Sequence, residues 1–430
     1  MARPLKWTNW AGNQSAAPAA IDHPQTEDEL CAILRVAVRE GQTVKAVGTG
    51  HSFTDAACTT GRLLALDRYT DVLSIDPKTA QVTVQAGIAL TTLNEALDQR
   101  GFAMPNLGDI AYQTISGAIA TATHGTGVKL GGLATTVVGM RMVLGDGTVR
   151  DLTAAELKVA RVGVGALGII STVTLQVVPS FNLEVVNEPM RLDAVLADLD
   201  THVRNNDHFE FFWVPHTGWA LTKTNNRTTA SLTPRPRWRE IRDDYVMENF
   251  AFGAVCRAGR RFPKATPRLA KALPSSGRVT YIDKSFRVFA SPRLVKFTEM
   301  EYSIPAEACA EALNRVRAFV KDEGLQLSFP VEVRFTAPDD IAVSTASGDS
   351  PRCYIAVHVY QGMDNSVYFR GVERIMDDYA GRPHWGKMHF QTADTLRDRY
   401  PRWGEFQALR DAFDPERRFA NTYTDRVFGR

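Results

Sequence analysis

Pro330-Val331-Glu332-Val333-Arg334-Phe335 sets a carboxylate and a guanidinium two residues apart in an apolar run. Side chains alternate along a strand, so Glu332 and Arg334 share a face. Turned inward, they make a polar cluster able to grip an oxygen-bearing ligand; turned outward, they are a surface pair worth under about 1 kcal/mol. In the next apolar run, 353–360, Tyr354, His358 and Tyr360 share a face. His358 there is either a proton acceptor or a core histidine with its needs met. A third cluster, His384, Lys387 and His389 around Trp385, lacks the spacing of a metal site, and no metal is expected.

Two glycine-rich stretches supply a different chemistry. The strand-like 43–47 runs into Gly48-Thr49-Gly50-His51-Ser52, where glycines allow positive φ and bring backbone N–H groups close to an anion such as a pyrophosphate. Gly108 to Gly127 is rich in Gly, Ala, Ser and Thr and ends in a second Gly-x-Gly, suiting it to pass close to a flat polar ligand. Gly163, Gly165 and Gly168 form a third such turn, weak as a motif on its own.

Taken together, Gly48–Ser52, Ser116-Gly117, His124-Gly125-Thr126-Gly127, Glu332-x-Arg334 and His384-Trp385-Gly386-Lys387 resemble the vanillyl-alcohol-oxidase family of flavoproteins. Within it they are most similar to the sugar-1,4-lactone oxidases and dehydrogenases, close to the alditol oxidases. With the Trp7–Asn13 opening the resemblance spans the chain, and it is strongest over 1–178 and 381–430. It implies FAD, carried covalently on His51 through the 8α-methyl group. It implies cofactor contacts from Val47, Gly48, Thr49, Gly50, His51 and Ser52, from Gly108, from Ile115, Ser116, Gly117, Ala118 and Thr121, from His124 and Gly125, and from Gly168, Ile169 and Val173. Catalysis would fall to Glu332, Arg334, Lys387 and His358, and substrate contact to the same four with Asp109.

The implied reaction is oxidation of an aldono-1,4-lactone such as L-gulono-1,4-lactone at C2, on the way to ascorbate. Hydride passes to flavin N5, and O2, a quinone or a cytochrome takes the electrons onward. Which of Glu332, Lys387 or His358 accepts the proton stays open. Gly108 matches a position where the family's glycine leaves room for dioxygen, which favours an oxidase. Asp109 stands where alditol oxidases have serine, which disfavours an open-chain polyol. The competing readings are an alditol or phenolic alcohol oxidase on the same fold, and a flavin- or sugar-binding protein without turnover.

The elements that must hold these residues follow from periodicity. The resemblance implies an α+β two-domain flavoprotein: a PCMH-type FAD-binding domain over 1–178, an α+β substrate (cap) domain over 179–380, and a segment, 381–430, returning to the first. Thr26 and Glu29 form a capping box ahead of a helix whose face is Leu30, Ile33, Leu34, Ala37 and Val38, stopped by Gly41. Short strands are expected at 63–66, 72–75 and 81–85, a helix over 90–99, and a hairpin of 135–144 with 148–152 around Gly145-Asp146-Gly147. Beyond Pro179, helices fall at 192–203, 310–320 and 372–379, and strands at 209–214, 330–336 and 353–360.

With 430 residues, 44% hydrophobic and 23% charged, the chain can bury two cores, and its net charge of +2 favours no class of partner. No nucleic-acid-reading motif is present. Residues 227–278 differ, with twelve Lys or Arg against four acids, and read as an irregular, solvated loop or an oligomer contact in preference to a membrane- or nucleic-acid-docking segment. Five scattered cysteines without a Cys-x-x-Cys pair fit a reducing cytoplasm. There is no apolar leader or spanning run, so any membrane contact would be peripheral.

Overall fold

The computed structural model describes residues 5–242, 249–272, 277–290 and 293–430. The Glu27–Arg39 helix starts where Thr26 Oγ1 accepts the Glu29 N–H at 3.2 Å. Glu29 closes the box on the N–H of Gln25 (2.7 Å), one residue further back than the pattern requires. Leu30, Cys31, Leu34 and Ala37 are its buried stripe, and Gly41, at φ 64°, turns the chain out of it. The helix joins Ala20–Asp22 to Val44–Val47, both parallel to Arg62–Ala65 between them. The Val44–Val47 strand thereby delivers the Gly48 turn at its end.

An antiparallel sheet follows, ordered Val149–Asp151, Val137–Val143, Ile169–Gln176, Gln81–Gln85, Val72–Asp76. Its hairpin forms around the expected turn, with Gly147 at φ 81° and Asp146 Oδ1 accepting from the N–H and hydroxyl of Thr148. Leu396, Phe406, Tyr423 and Phe428 pack into the same core, and Val44 N–H donates to the Arg418 carbonyl at 2.8 Å.

The second layer is an eight-stranded antiparallel sheet. Its order is Val279–Lys284, Asn182–Arg191, Trp219–Thr228, His208–Trp213, Val331–Thr336, Arg352–Tyr360, Phe297–Pro305, Arg382–Pro383. On one face Val331, Val333, Phe335, Ile355 and Val357 meet Leu313 and Val316 of the Cys309–Asp322 helix and Phe369 and Val372 of the Ser366–Asp377 helix. The other face is covered by the first layer: Gly127 N–H donates to the Phe335 carbonyl (2.7 Å), and the Phe335 N–H to Thr126 Oγ1 (3.2 Å).

Three expectations are corrected. The helix over 192–203 is two, Leu192–Ala197 and Leu199–Asn205, broken at Asp198. Phe297–Pro305 adds a fully paired strand that periodicity had not marked. The basic section is not irregular: Trp219–Thr228 runs into it, Arg237–Glu240, Phe252–Arg261 and Thr266–Ala272 are helices, and Val279–Lys284 leaves it as a strand. The Phe252–Arg261 helix buries Gly253, Cys256 and Gly259, a stripe of small residues in place of the large apolar ones that usually signal a helix. Three of its counted acids, Asp243, Asp244 and Glu248, lie outside the described residues.

Candidate active site

The sheet face turned toward the first layer is polar, and register decides which side chains meet there. Phe212, Glu332, Ala356 and Glu301 fall in one row across four strands, and His358 stands opposite Glu299 in the next. Ala356 is the small residue of that row, leaving space between Glu332 and Glu301. Arg334 opposes Tyr354, whose ring lies against His124 from the first layer, 3.7 Å between centroids.

Burying so many charges is costly unless each has a partner. Here they do. Arg334 Nε donates to Glu210 Oε2 at 2.8 Å, and its Nη2 contacts Asp109 and, at 2.5 Å, Glu332 Oε1. Arg293 holds the other Asp109 oxygen at 2.7 Å. Burial works to raise the Asp109 carboxyl, but Arg334 and Arg293 together hold it well below the usual carboxylate range. Glu332 behaves oppositely: burial pushes it up to about 7 against the pull of Arg334. Its Oε1, though close to Arg334, accepts no hydrogen bond.

Lys387 contacts Glu299 and lies 3.2 Å from Glu301 Oε2. Burial would lower the ammonium, yet these two carboxylates hold it above the ordinary lysine value, so it stays charged. Burial likewise opposes ionisation of Glu299, which Lys387 and His358 draw down to about 2. His358 Nδ1 faces the Pro330 carbonyl at 3.2 Å and must donate there; Nε2 then faces Glu299 at 3.3 Å and Glu332 at 4.0 Å. His124 Nε2 lies 3.4 Å from Glu301. His384 Nδ1 accepts the Gly386 N–H at 3.0 Å, which leaves its proton on Nε2, and burial lowers its pKa to about 3.

The opposite wall comes from the glycine-rich turns. Both walls line one cleft of about 1900 Å³: His51, Ser52, Gly108, Asp109, Thr121 and His124 on one side, Glu299, Glu301, Glu332, Arg334, His358, His384 and Lys387 on the other. The N-terminal segment fixes the His51 turn. Trp10 stacks on the His51 ring, 5.2 Å between centroids and 25° between planes, its N–H donates to the Gly50 carbonyl (2.9 Å), and Asn9 Nδ2 donates to the Ser52 carbonyl (2.9 Å). Phe53 N–H donates to the Gly386 carbonyl at 2.7 Å, locking this turn to the loop that carries Lys387. His51 Nδ1 is buried without a hydrogen-bond partner, and burial lowers the ring's pKa, so it is a neutral imidazole.

The remaining residues of the sequence reading lie elsewhere. Gly48 abuts Thr114, the cap of the Ile115–Ala120 helix, so closely that a Cβ would stand 2.2 Å from Thr114 Oγ1. That contact sets the Gly48 turn against the start of the helix, where Ser116 and Gly117 are partly exposed and Ile115 and Ala118 buried, while Gly50 faces Trp7, Asn9 and Trp10. Val47, Gly125, Ile169 and Val173 are buried, and Gly168 (φ 155°) turns at the start of the Ile169–Gln176 strand; none of these lines the cleft. His389 bonds the Tyr423 hydroxyl at 2.9 Å, away from the cleft lining.

Glu299, Glu301, Glu210, Arg293 and Trp10 were not foreseen as site residues. The Glu-x-Glu of Phe297-Thr298-Glu299-Met300-Glu301 alternates as Glu-x-Arg does, and was the available signal. Glu299, Glu332 and His358, and also Asp109, Glu210 and Glu332, bring ligand-type atoms within 4.8 Å of one another. Arg334 already sits against all three acids of the second set, and Lys387 against Glu299 of the first, so protein cations balance this charge.

Residues 173–427 match the family model described as D-arabinono-1,4-lactone oxidase, and 18–153 match an FAD binding domain. The chain belongs to the D-arabinono-1,4-lactone oxidase family. It is 48% identical to the L-gulono-1,4-lactone dehydrogenase of Mycobacterium tuberculosis, over 98% of this chain and 99% of that one. To the L-gulonolactone oxidase of Bos taurus it is 33% identical, covering 99% and 98%. A solvent-stable cholesterol oxidase shares the fold, with a TM-score of 0.83 at 19% identity over 98% of this chain and 97% of the other. Like that family, the chain is an FAD-binding oxidoreductase, with the mixed two-domain architecture that the motifs implied. Among the described residues no helix is long and apolar enough to cross a membrane.

Proposed function

We propose that this chain oxidises the C2 hydroxyl of an aldono-1,4-lactone, L-gulono-1,4-lactone or a close analogue, to the ketone, with FAD held covalently on His51. The reading rests on one observation: His358 and the ion-paired Glu332, Arg334 and Lys387 share a cleft with His51, whose Nδ1 lacks a partner. An orphaned imidazole nitrogen fits attachment of the cofactor, because an unpaired buried polar atom otherwise costs about 1–3 kcal/mol. The turns at Gly48–Ser52 and Thr114–Gly117 would hold the rest of FAD. Bound FAD supplies the acceptor for the hydride leaving C2.

The side chains do the rest. Lys387 and Arg334, both kept cationic by buried carboxylates, stabilise negative charge on the substrate oxygens. Glu332, whose pKa burial raises to about 7, accepts the hydroxyl proton, and His358 stands 4.0 Å from its Oε2. Asp109 fixes Arg334 and Arg293, a role that a serine could not fill and that sets this site apart from one for open-chain polyols. Gly108 lines the cleft, and its likeness to the family's glycine at this position favours dioxygen as the electron acceptor.

Steady-state turnover of L-gulono-1,4-lactone, xylitol and vanillyl alcohol tests the substrate class, and preference for xylitol overturns it. A flavin that stays yellow when lactone is added anaerobically overturns turnover itself.

A further inference from the structure

On the reaction proposed above, which sets C2 of the lactone at Glu332, we infer that the cleft holds a subsite for a second sugar ring and that the substrate is a glycosylated aldonolactone. Strand register carries the floor of the cleft well past the reacting carbon. The row that contains Glu332 continues on the same face through Phe212, Leu221 and Pro189, one residue from each of the next three strands, and all of them line the cleft. Strands lie about 4.8 Å apart, so this floor reaches roughly 14 Å beyond Glu332. In a hexono-1,4-lactone four C–C bonds of about 1.5 Å separate C2 from C6, a span of about 5 Å. Phe212 therefore lies under the side chain of such a lactone, and Leu221 and Pro189 under the group that C6 carries. The His51 wall meets the sheet on the other side of Glu332. There Trp10, stacked on His51, packs edge-on against Phe297 at 5.5 Å between centroids.

The rows on either side of this floor decide the occupant. Lys223 and Asn187 flank Leu221 and Pro189 on one side, and Trp219 and Arg191 flank them on the other. Asn187 Oδ1 is buried without a hydrogen-bond partner. An acceptor so placed calls for a donor from the ligand, and a site built around one selects strongly for the hydroxyl that meets it. Trp219 is 47% exposed, and the Arg191 guanidinium lies over its ring at 5.1 Å from the centroid. An apolar strip bordered by an indole and by hydrogen-bonding groups matches a pyranose, whose C–H faces are apolar and whose edge carries hydroxyls. An alkyl substituent would cover the strip and leave Asn187 Oδ1 unpaired.

Turnover of 6-O-β-D-glucopyranosyl-L-gulono-1,4-lactone and of L-gulono-1,4-lactone by the FAD-loaded full chain, with an artificial dye acceptor, tests the inference. The glucosyl lactone is expected to have a kcat/KM at least about tenfold higher, mostly through a lower KM. Asn187→Ala and Trp219→Ala should each cut this preference about fivefold or more, while turnover of the unsubstituted lactone stays within about twofold and shows that the variants fold. A parent kcat/KM for the glucosyl lactone no higher than for the unsubstituted one overturns the inference, as does a preference that survives both substitutions. A 6-O-hexyl lactone preferred as strongly as the glucosyl one also overturns it, since the occupant would then be an apolar chain. If neither lactone is oxidised, the reading of the reaction fails, and titration calorimetry decides the subsite by itself. The glucosyl lactone should then bind the parent at least about tenfold more tightly than the unsubstituted lactone and lose that advantage in Asn187→Ala. Equal affinities in the parent overturn the subsite.

Discussion

His358 Nε2 lies 3.3 Å from Oε1 of Glu299, its direct partner across the sheet. Lys387 secures the charge on Glu299, so the group near His358 whose proton is exchangeable at neutral pH is Glu332, held at about 7. Below that pH Glu332 is protonated and cannot accept a proton; above it, it can. We therefore expect kcat/KM for lactone to rise with pH through a midpoint near 7. Glu332→Gln should lower it by about 10²–10⁴-fold and erase the limb. A limb that survives in Glu332→Gln would assign the proton acceptor to another group.

Covalent attachment makes a separate prediction. Acid precipitation of the parent should leave flavin fluorescence in the pellet, and His51→Ala should release it to the supernatant. Fluorescence retained by His51→Ala would refute the link. Trp10→Ala removes the ring stacked on His51 and should slow attachment, measured as the covalent fraction against time after adding FAD to the apoprotein.

Glu301 lies 3.2 Å from Lys387, the ammonium proposed to hold substrate oxygen. Removing one carboxylate of the pair that holds the ammonium should weaken the grip on substrate oxygen, with Glu301→Gln raising KM about tenfold. In a double-mutant cycle with Lys387→Met the effects should fall short of additive by about 1–3 kcal/mol, because each change removes the same interaction. Additive losses would mean that Glu301 acts through His124, 3.4 Å away on its other oxygen.

How far the chain could be read from its sequence follows from what periodicity encodes. The Gly147 hairpin and the Glu332/Arg334 face were legible because turn chemistry and alternation are local. Alternation gives a face, however, and not a neighbour. Arg334 finds Glu210 124 residues away and Asp109 225 away, and Lys387 finds Glu299 across 88. Those partners are fixed by strand order, which no short window contains. The Glu299-x-Glu301 strand was passed over because its acids look unfit for a buried position until Lys387 and His358 are seen to neutralise them. In the basic section, glycine and cysteine at helical spacing concealed a helix.

Gly108 gives an acceptor test. A Cβ there would stand 3.0 Å from the His124 carbonyl oxygen, so alanine must displace a backbone atom that Thr126 and Gly127 help anchor to the sheet. Gly108→Ala is expected to slow reoxidation by O2 by about tenfold or more while leaving turnover with an artificial dye acceptor within about threefold. Equal loss with both acceptors would show that the substitution disturbs lactone binding.

Lys45 carries a stability prediction. Its ammonium is buried in the strand leading to the Gly48 turn and donates to two neutral acceptors, the carbonyls of Gly165 (2.9 Å) and Phe419 (3.1 Å). Burial lowers its pKa from 10.5 to about 7. Between those values the unfolded chain holds the proton and the folded chain does not, so stability should rise with pH from about 7 toward 10. Below about 7 both states are charged, and the buried charge costs on the order of 5 kcal/mol. Glu332 acts in the adjoining window: its raised pKa makes stability fall as pH climbs from the ordinary glutamate value to about 7, so the two effects do not overlap. Lys45→Met leaves two carbonyls without donors, at about 1–3 kcal/mol each, and its midpoint alone is therefore uninformative. The slope is diagnostic. Urea midpoints measured from pH 7 to about 8, below the range where the buried cysteine thiols raised by burial begin to ionise in the unfolded chain, should climb in the parent and stay flat in Lys45→Met, and parallel slopes would mean that the folded protein keeps this lysine charged.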